Sequence, residues 1–190
     1  MKLILVGGTP GTGKTEVAKL LGAQLKRRVV ALGDIAKSND CTREHDSNRD
    51  TWIIDEDCLV DAIMDLLDDS KDDFIIEGHY IDLVPSRSVE QVFVLRTHPD
   101  DLKQRLTQRN YTADKVQENL ESEIYGVCQL DALNSFGEAK VFEVDTTELT
   151  AESTVDEILS IIKSKESPTR YDWMADLEDE GRLNDFISDA

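Results

Sequence analysis

The stretch Gly8-Thr9-Pro10-Gly11-Thr12-Gly13-Lys14-Thr15 carries the residue types that hold a chain of phosphate groups. It satisfies the pattern G-x-x-x-x-G-K-[ST], in which glycines such as Gly11 and Gly13 let the backbone curl until successive N–H groups point at phosphate oxygens. Lys14 would span the terminal phosphates, and the Thr15 hydroxyl can ligate magnesium. The motif lies between a predicted strand and a predicted helix, which disfavours a fortuitous glycine-rich turn. We therefore expect a nucleoside triphosphate with Mg²⁺ at this loop.

A second acidic group is expected at the end of a neighbouring strand, and Glu77 directly follows the apolar run Phe74-Ile75-Ile76. Its carboxylate is the candidate to hold a magnesium-bound water. His79, two residues later, has two interpretations: it orients a water or a substrate oxygen, or it is a hydrogen-bonded loop residue. The spacing favours neither.

Arg105 and Arg109 are four residues apart on a predicted helix, so they share one face. Two guanidinium groups there suit an anion and could clamp phosphates from a lid. In so acidic a chain the alternative is that they pair with Asp101 or Glu118 on a solvated surface. The spacing leaves both interpretations open.

The elements that must position these groups follow from the apolar pattern. Five short apolar runs are typical of buried strands, and the segments between them are long enough for crossover helices. The runs are 3–6, 29–32, 74–76, 92–95 and 141–144, and helical spacing follows the phosphate loop and recurs at 57–67, 99–109, 113–136 and 151–165. We predict an α/β fold of the P-loop NTPase type, a five-stranded parallel sheet with helices on both faces and functional loops at its carboxyl edge.

Two segments stand outside this alternation. Between Lys37 and Trp52 the chain is polar and almost devoid of core residues, which predicts either a long, mobile functional excursion or a disordered surface loop. Near residue 166 the composition becomes acidic with scattered aromatic residues. We place a boundary there, with a domain at 1–165 and an acidic tail at 166–190 that either contributes to partner binding or only aids solubility.

The overall charge excludes some partners. The chain of 190 residues has 40 acidic and 21 basic side chains, and its formal net charge of −19 repels phosphate backbones and anionic membranes. We therefore expect no bulk nucleic-acid binding. No stretch approaches the roughly 18 consecutive apolar residues that a membrane span needs, so we expect no membrane insertion.

The three cysteines, Cys41, Cys58 and Cys128, form an odd count without paired spacing, and the start of the chain turns polar too soon for a signal peptide. These features predict a reducing, cytoplasmic location. Cys41 and His45 alone are too few ligands for zinc, so no protein-held metal is expected.

Five segments, in their order and spacing, together resemble the adenylate kinase isoenzyme 6 family, also described as the coilin-interacting nuclear ATPase family: GGTPGTGKT, ALGDIAK, IIDEDCLVDAI, IIEGHYIDLVP and VFVLRTHPDDLKQRLTQRNY. The resemblance covers about residues 1–165. It implies a nucleoside monophosphate kinase fold, with a monophosphate-binding segment at about 32–55 and a short lid at about 108–118. It also implies a broad-specificity adenylate kinase with ATPase activity that binds a ribosomal protein during maturation of the small ribosomal subunit.

Individual roles also follow from the resemblance. The positions that it assigns to ATP are Gly11, Gly13, Lys14, Thr15, Glu16 and the lid residue Arg109, and those that it assigns to the monophosphate are Asp34 and Lys37. Two positions depart from the family. Glu77 replaces the usual aspartate of the acidic-x-His pair, and Lys37 replaces an arginine, so the bidentate fork for an α-phosphate is lost.

Three functions remain open on the sequence. The first is transfer of the γ-phosphoryl of ATP to AMP or another nucleoside monophosphate, together with ATP hydrolysis. The second is an assembly factor whose ATP hydrolysis controls its binding of a basic small-subunit ribosomal protein, with phosphotransfer incidental. The third is a small-metabolite kinase of the shikimate type, against which the segments Asp55-Glu56-Asp57 and Glu77-Gly78-His79 argue.

Overall fold

The computed structural model describes residues 2–46, 51–164 and 169–187. Within these ranges the chain forms a five-stranded sheet with all neighbours parallel and a separate antiparallel pair of strands. The main sheet contains β1 (Leu3–Gly8), β2 (Arg28–Ala31), β5 (Phe74–Glu77), β6 (Val89–Arg96) and β7 (Val141–Asp145), and the pair contains β3 (Thr42–Asp46) and β4 (Thr51–Ile54). The predicted fold class is confirmed.

The helices cover the sheet and its carboxyl edge. They are α1 (Lys14–Leu25), α2 (Leu32–Ser38), α3 (Glu56–Asp69), α4 (Pro99–Gln108), α5 (Ala113–Ile124), α6 (Val127–Phe136), α7 (Ala151–Ser164) and α8 (Trp173–Asp179). Short 3₁₀ turns lie at Ile81–Leu83, Ser86–Ser88 and Leu183–Asp185. Among the described residues, none of these helices has the length and apolar character that crossing a membrane requires.

Strand β1 lies at the centre of the sheet, whose order is β2-β5-β1-β6-β7. Its alternate side chains serve two cores: Leu3 and Leu5 pack with α3 and α6, whereas Ile4 and Val6 pack with α1 and α7. Burial on both faces explains why the strands are continuous apolar runs. Because β5 is the parallel neighbour of β1, the ends of these two strands meet at one edge.

The single helix predicted at 113–136 is wrong. The structure divides it into α5 and α6 at Gly126, whose φ of 64° lies in the left-handed region. The apolar stripe continues across the break, so periodicity does not detect it. A glycine adopts this backbone conformation without the steric cost that other residues meet.

The polar excursion contains more structure than its composition predicts. After α2, strands β3 and β4 pair as a hairpin, with residues 47–50 outside the described ranges. Cys41 is fully buried and forms a disulfide with Cys58 of α3. The interpretation of the cysteines as unpaired is therefore wrong, and the sulfur of Cys41 is not free for a metal shared with His45.

The segment after the sequence boundary packs against the domain. Trp173, Leu177 and Phe186 are buried, and the last two join a third apolar cluster with α4 and α5. The described residues 169–187, which we name the C-terminal segment, are therefore part of the folded unit.

We expect the disulfide to stabilise the fold measurably. It closes a loop of 17 residues, and loops of this size restrict the unfolded chain by about 3 kcal/mol. A reducing agent should lower the free energy of unfolding by this amount in urea titrations of the unmodified chain. The double variant Cys41→Ala/Cys58→Ala should not respond to the reductant, and an equal response of both proteins would contradict the pairing.

Candidate active site

The phosphate loop curls tightly between β1 and α1. Gly11 has a φ of 100°, and a Cβ there would lie 2.7 Å from a methyl carbon of Leu102 on α4. Gly13, with a φ of 93°, begins α1. The glycines therefore permit both the left-handed backbone and the close approach of α4. They leave the start of α1 facing an open cavity of about 600 Å³.

Lys14 is half-buried at the start of α1, and its Nζ donates a hydrogen bond of 3.0 Å to the Thr9 carbonyl. Burial lowers the pKa of this ammonium group, although the nearby Glu77 and Glu123 oppose the shift. The ammonium thus faces the cavity from a site where water solvates it poorly. Phosphate oxygens are good replacement partners for it.

Thr15 and Glu77 meet, as the parallel pairing of β1 and β5 requires. The Thr15 hydroxyl donates to a Glu77 carboxylate oxygen at 3.1 Å. Hydroxyl and carboxylate oxygens are ligands that Mg²⁺ accepts when substrate phosphates supply the rest of its shell. Across the described residues, no cluster of three or more His, Cys, Asp or Glu forms a site that would hold a metal without such help.

His79 lies beside the phosphate loop. Its Nδ1 is 3.4 Å from the buried thiol of Cys128, whose pKa is raised by burial to about 11, so the thiol stays protonated. Burial, followed by the positive charge of Lys14, lowers the pKa of His79. A neutral imidazole is therefore held beside the phosphate loop. Gly78 permits this path, because a Cβ there would come within 2.9 Å of Leu32.

The structure separates the two arginines that share a helix face. Arg105 donates to the Thr146 carbonyl at 2.6 Å and to its hydroxyl at 3.1 Å, and lies 3.5 Å from Asp101. Arg109 is exposed, and within the described chain no hydrogen bond or ion pair engages its guanidinium. Arg105 thus supports the loop after β7, whereas Arg109 is available to an anion.

A second cavity, of about 450 Å³, lies on the other side of the loop. Arg109 and Glu16 line both cavities, so the two adjoin. The wall contributed by the β7–α7 connection and α7 contains Thr146, Leu149, Ala151 and Thr154. Its mixture of apolar and hydroxyl groups suits a nucleoside. Sequence reasoning missed this wall, although its place after a parallel strand could have indicated it.

Asp34 and Lys37 occupy a different place. Both are exposed on α2, and neither lines the two cavities around the phosphate loop. Helix α2 follows β2, which is the neighbour of β5, so these residues lie on the Glu77 side of the sheet. The structure therefore places them apart from the two cavities beside the loop and does not assign them a ligand.

Sequence reasoning also missed a buried group behind the loop. The Thr9 hydroxyl donates to Glu123 of α5 at 2.5 Å, and Glu123 pairs with Arg96 at the end of β6. Glu123 is 2 % exposed. Nothing local in the sequence joins these residues, which lie 114 and 27 positions apart.

Comparisons with known proteins identify the family of this chain. The model of the AAA domain family matches residues 4–126. A protein of Methanocaldococcus jannaschii named "Putative adenylate kinase" is 34% identical over 171 residues, covering 90% of this chain and 92% of the relative. The "Adenylate kinase isoenzyme 6 homolog FAP7" of Saccharomyces cerevisiae is 36% identical over 160 residues, covering 84% of this chain and 79% of the relative.

Solved structures show the same fold at low identity. Shikimate kinase from Aquifex aeolicus matches with a TM-score of 0.55 and 15% identity, covering 86% of this chain and 97% of that one. A gluconokinase from Sinorhizobium meliloti matches with a TM-score of 0.54 and 15% identity, covering 84% and 90%. At this identity the likeness concerns the fold alone.

We expect Lys14→Ala to weaken binding of a nucleoside triphosphate by at least tenfold, because charge-assisted hydrogen bonds to phosphate are lost. Isothermal titration with ATP and Mg²⁺ measures the affinity. Lys71→Ala, which removes the same charge from an exposed loop, is the matched control. Equal affinities in the two variants would exclude Lys14 from the site.

Proposed function

The chain belongs to the adenylate kinase isoenzyme 6 family of P-loop proteins, and from that premise we propose that it transfers the γ-phosphoryl of ATP to AMP or another nucleoside monophosphate. The observation that carries this proposal is the hydrogen bond of Thr15 to Glu77, next to a cavity that Thr15 lines together with Lys14 and with Arg109, which has no ion pair or hydrogen bond among the described residues. These groups have the chemistry of a phosphoryl-transfer site.

Catalysis in this proposal rests on position and charge. The ammonium of Lys14 exchanges the Thr9 carbonyl for phosphate oxygens, and Arg109 supplies a second cation from the connection between α4 and α5. Lys14 acts from a position that water solvates poorly and Arg109 from an exposed one, and both are positioned in advance for the negative charge that develops. Thr15, and Glu77 through a water, would hold Mg²⁺, which neutralises phosphate charge when it is bound.

The nucleoside of ATP fits the second cavity, next to Thr146 and Leu149. The monophosphate enters from the side of α2, where Asp34 and Lys37 are exposed. Lys37 is a point charge without the planar fork of arginine, so its hold on an α-phosphate is weaker than an arginine would provide. The cytoplasm, where ATP and monophosphates are abundant, is the location that we propose. The Cys41–Cys58 disulfide removes the argument from unpaired cysteines, so this proposal rests on the substrates alone.

ATP hydrolysis is the second candidate function, and the neutral His79 favours it. A neutral imidazole beside the phosphates can accept a hydrogen bond from an attacking water. We infer that hydrolysis proceeds when no acceptor excludes water from the site. The shikimate-type alternative has only a shared fold in its support, since the structural neighbours are 15% identical.

The partner that we propose is a basic ribosomal protein of the small subunit, bound during assembly. Its support is the resemblance to the adenylate kinase isoenzyme 6 family, which implies such a partner, together with the net charge of −19, which attracts basic surfaces and repels bare RNA. Charge steering of this kind weakens as salt shortens the screening length.

Products distinguish transfer from hydrolysis. Transfer converts ATP and AMP into two ADP and releases no phosphate, whereas hydrolysis releases one phosphate for each ADP. With Mg²⁺-ATP and equal enzyme, we expect AMP to raise ADP formation at least tenfold and to suppress phosphate release. Stimulation by shikimate or gluconate in place of AMP would contradict the proposal.

His79→Ala should reduce phosphate release by about tenfold or more and AMP-dependent ADP formation by less than about threefold, because a bound acceptor needs no water-positioning group. His79→Gln, which keeps a neutral hydrogen-bonding side chain, should recover part of the hydrolysis. Because the pKa of His79 is lowered, its imidazole stays neutral at pH values somewhat below about 6.5, the ordinary histidine pKa, and hydrolysis should persist there. Equal losses of both activities would assign His79 to the common phosphate site.

A basic small-subunit ribosomal protein should bind the full chain at about 0.1 M salt and lose at least tenfold in affinity towards 1 M, where the screening length falls to about 3 Å. Fluorescence anisotropy of the labelled partner measures this, with a ribosomal RNA fragment as the comparison ligand. Absence of binding at low salt, or tighter binding of the RNA, would remove the proposed partner.

A further inference from the structure

One buried carboxylate connects the phosphate loop to the C-terminal segment. The Oε2 of Glu123 accepts the hydroxyl of Thr9 at 2.5 Å. Its Oε1 accepts three donors: Nε of Arg96 at 2.9 Å, the backbone N–H of Thr97 at 3.0 Å and Nε1 of Trp173 at 3.3 Å. Because the donors on Oε1 set the rotation of the carboxylate, they also set the direction in which Oε2 meets the loop.

Arg96 is the other half of this group and is 1 % exposed. Burial lowers the pKa of its guanidinium, but Glu123 and Glu143 outweigh burial and the net shift is upward, so the charge is retained. Nη1 donates to Glu143 at 2.9 Å and to the carbonyl of Tyr171 at 3.2 Å. The C-terminal segment therefore supplies one of the acceptors for the buried guanidinium of Arg96. Loss of a partner from a buried charge destabilises the folded state strongly.

The segment is anchored at several further points. The Tyr171 N–H donates to Glu143 at 3.1 Å, and Arg182 forms two hydrogen bonds of 2.8 and 2.9 Å with Asp100 of α4. Gln117 of α5 donates to the carbonyl of Phe186 at 2.5 Å. These contacts tie together the two helices that flank residues 109–112 and hold the Trp173 ring over Arg96, 6.0 Å from its guanidinium carbon.

Thr9 connects Glu123 to the other residues of the phosphate loop. While its hydroxyl is held by Glu123, its carbonyl accepts Nζ of Lys14 at 3.0 Å and the hydroxyl of Thr12 at 2.9 Å. A shift of Thr9 therefore moves the groups that shape the triphosphate cavity. Only two hydrogen bonds separate Trp173 from Thr9.

We propose that the C-terminal segment positions the phosphate loop, with Trp173 and Glu123 as positioning residues that hold Thr9 in its nucleotide-binding geometry. The proposal rests on the proposed function in one respect, that the loop binds ATP. Docking of the segment and binding of nucleotide are then coupled, and the coupling is reciprocal: nucleotide strengthens docking by the factor by which docking strengthens nucleotide binding.

Substitutions at Trp173 test the proposal in the full chain. Trp173→Ala removes both the donor to Glu123 and the ring over Arg96, and should raise the dissociation constant for Mg²⁺-ATP about tenfold. Trp173→Phe keeps the ring over Arg96 but lacks the donor, and should raise the constant about threefold, since two donors remain on Oε1. Met174→Ala is the matched control, because this neighbouring side chain is exposed and forms no hydrogen bond with Glu123 or Arg96 among the described residues.

Titration at a temperature where circular dichroism shows each variant fully folded separates positioning from stability. A lowered melting temperature with an unchanged dissociation constant in Trp173→Ala would overturn the proposal. A double-mutant cycle adds a second criterion. Thr9→Val removes the hydroxyl that Glu123 holds, so adding Trp173→Ala to this variant should weaken ATP binding by less than about a further twofold. If the double variant instead loses the full product of the two separate fold-changes, the proposed coupling through Glu123 and Thr9 is overturned.

Hydrogen exchange distinguishes the positioning role of the C-terminal segment from the proposed function. The backbone N–H groups of residues 8–15 should exchange at least threefold faster in Trp173→Ala than in the unmodified chain, with or without nucleotide. If the unmodified chain binds no ATP, the proposed function fails while this measurement still decides the positioning role. Unchanged exchange in these residues would overturn it.

Discussion

The guanidinium of Arg96 lies at the carboxyl end of β6, where solvent does not reach it, so its charge must be neutralised by neighbouring groups. Several distant elements supply these groups. Carboxylates come from α5 and β7, as Glu123 and Glu143, and the amide of Gln129 completes the shell from α6. A Cβ at Gly126 would lie 2.6 Å from that amide oxygen, so the break between α5 and α6 makes room for it. Removing one partner of such a group commonly costs about 3–5 kcal/mol, and this links distant elements energetically.

The arginines near the site have separate tasks because of where their partners lie. Arg96 joins strands, α5 and the C-terminal segment, and Arg105 fastens the connection after β7 through Thr146. Arg109 alone of the three has no ion pair or hydrogen bond in the described part of the chain. Arg96 and Arg105 are thus engaged by neighbouring groups, although Arg105 also lines the second cavity, whereas Arg109 lines both cavities and can offer its full charge to an anion.

The acidic surface makes these local cations necessary. A net charge of −19 repels a nucleoside triphosphate at long range. Close to the loop, Lys14, Arg109, the backbone N–H groups and the start of α1 present positive or partial positive charge, which attracts an anion locally. Overall charge therefore describes what the outer surface attracts, whereas binding at the proposed phosphate site depends on the half-buried Lys14 and on Arg109, which has no ion pair or hydrogen bond among the described residues.

Local sequence patterns were sufficient to predict much of the structure of this protein. The spacing of the phosphate loop, the five apolar strands and the rule that parallel strands end at one edge were sufficient to predict the fold and the approach of Glu77 to Thr15. The pairing of Cys41 with Cys58, the break at Gly126 and the burial of Trp173 depended on the tertiary structure. Periodicity identifies an element and its apolar face, but the partner of that face, or of a buried charge such as Arg96, is selected only when distant elements pack together.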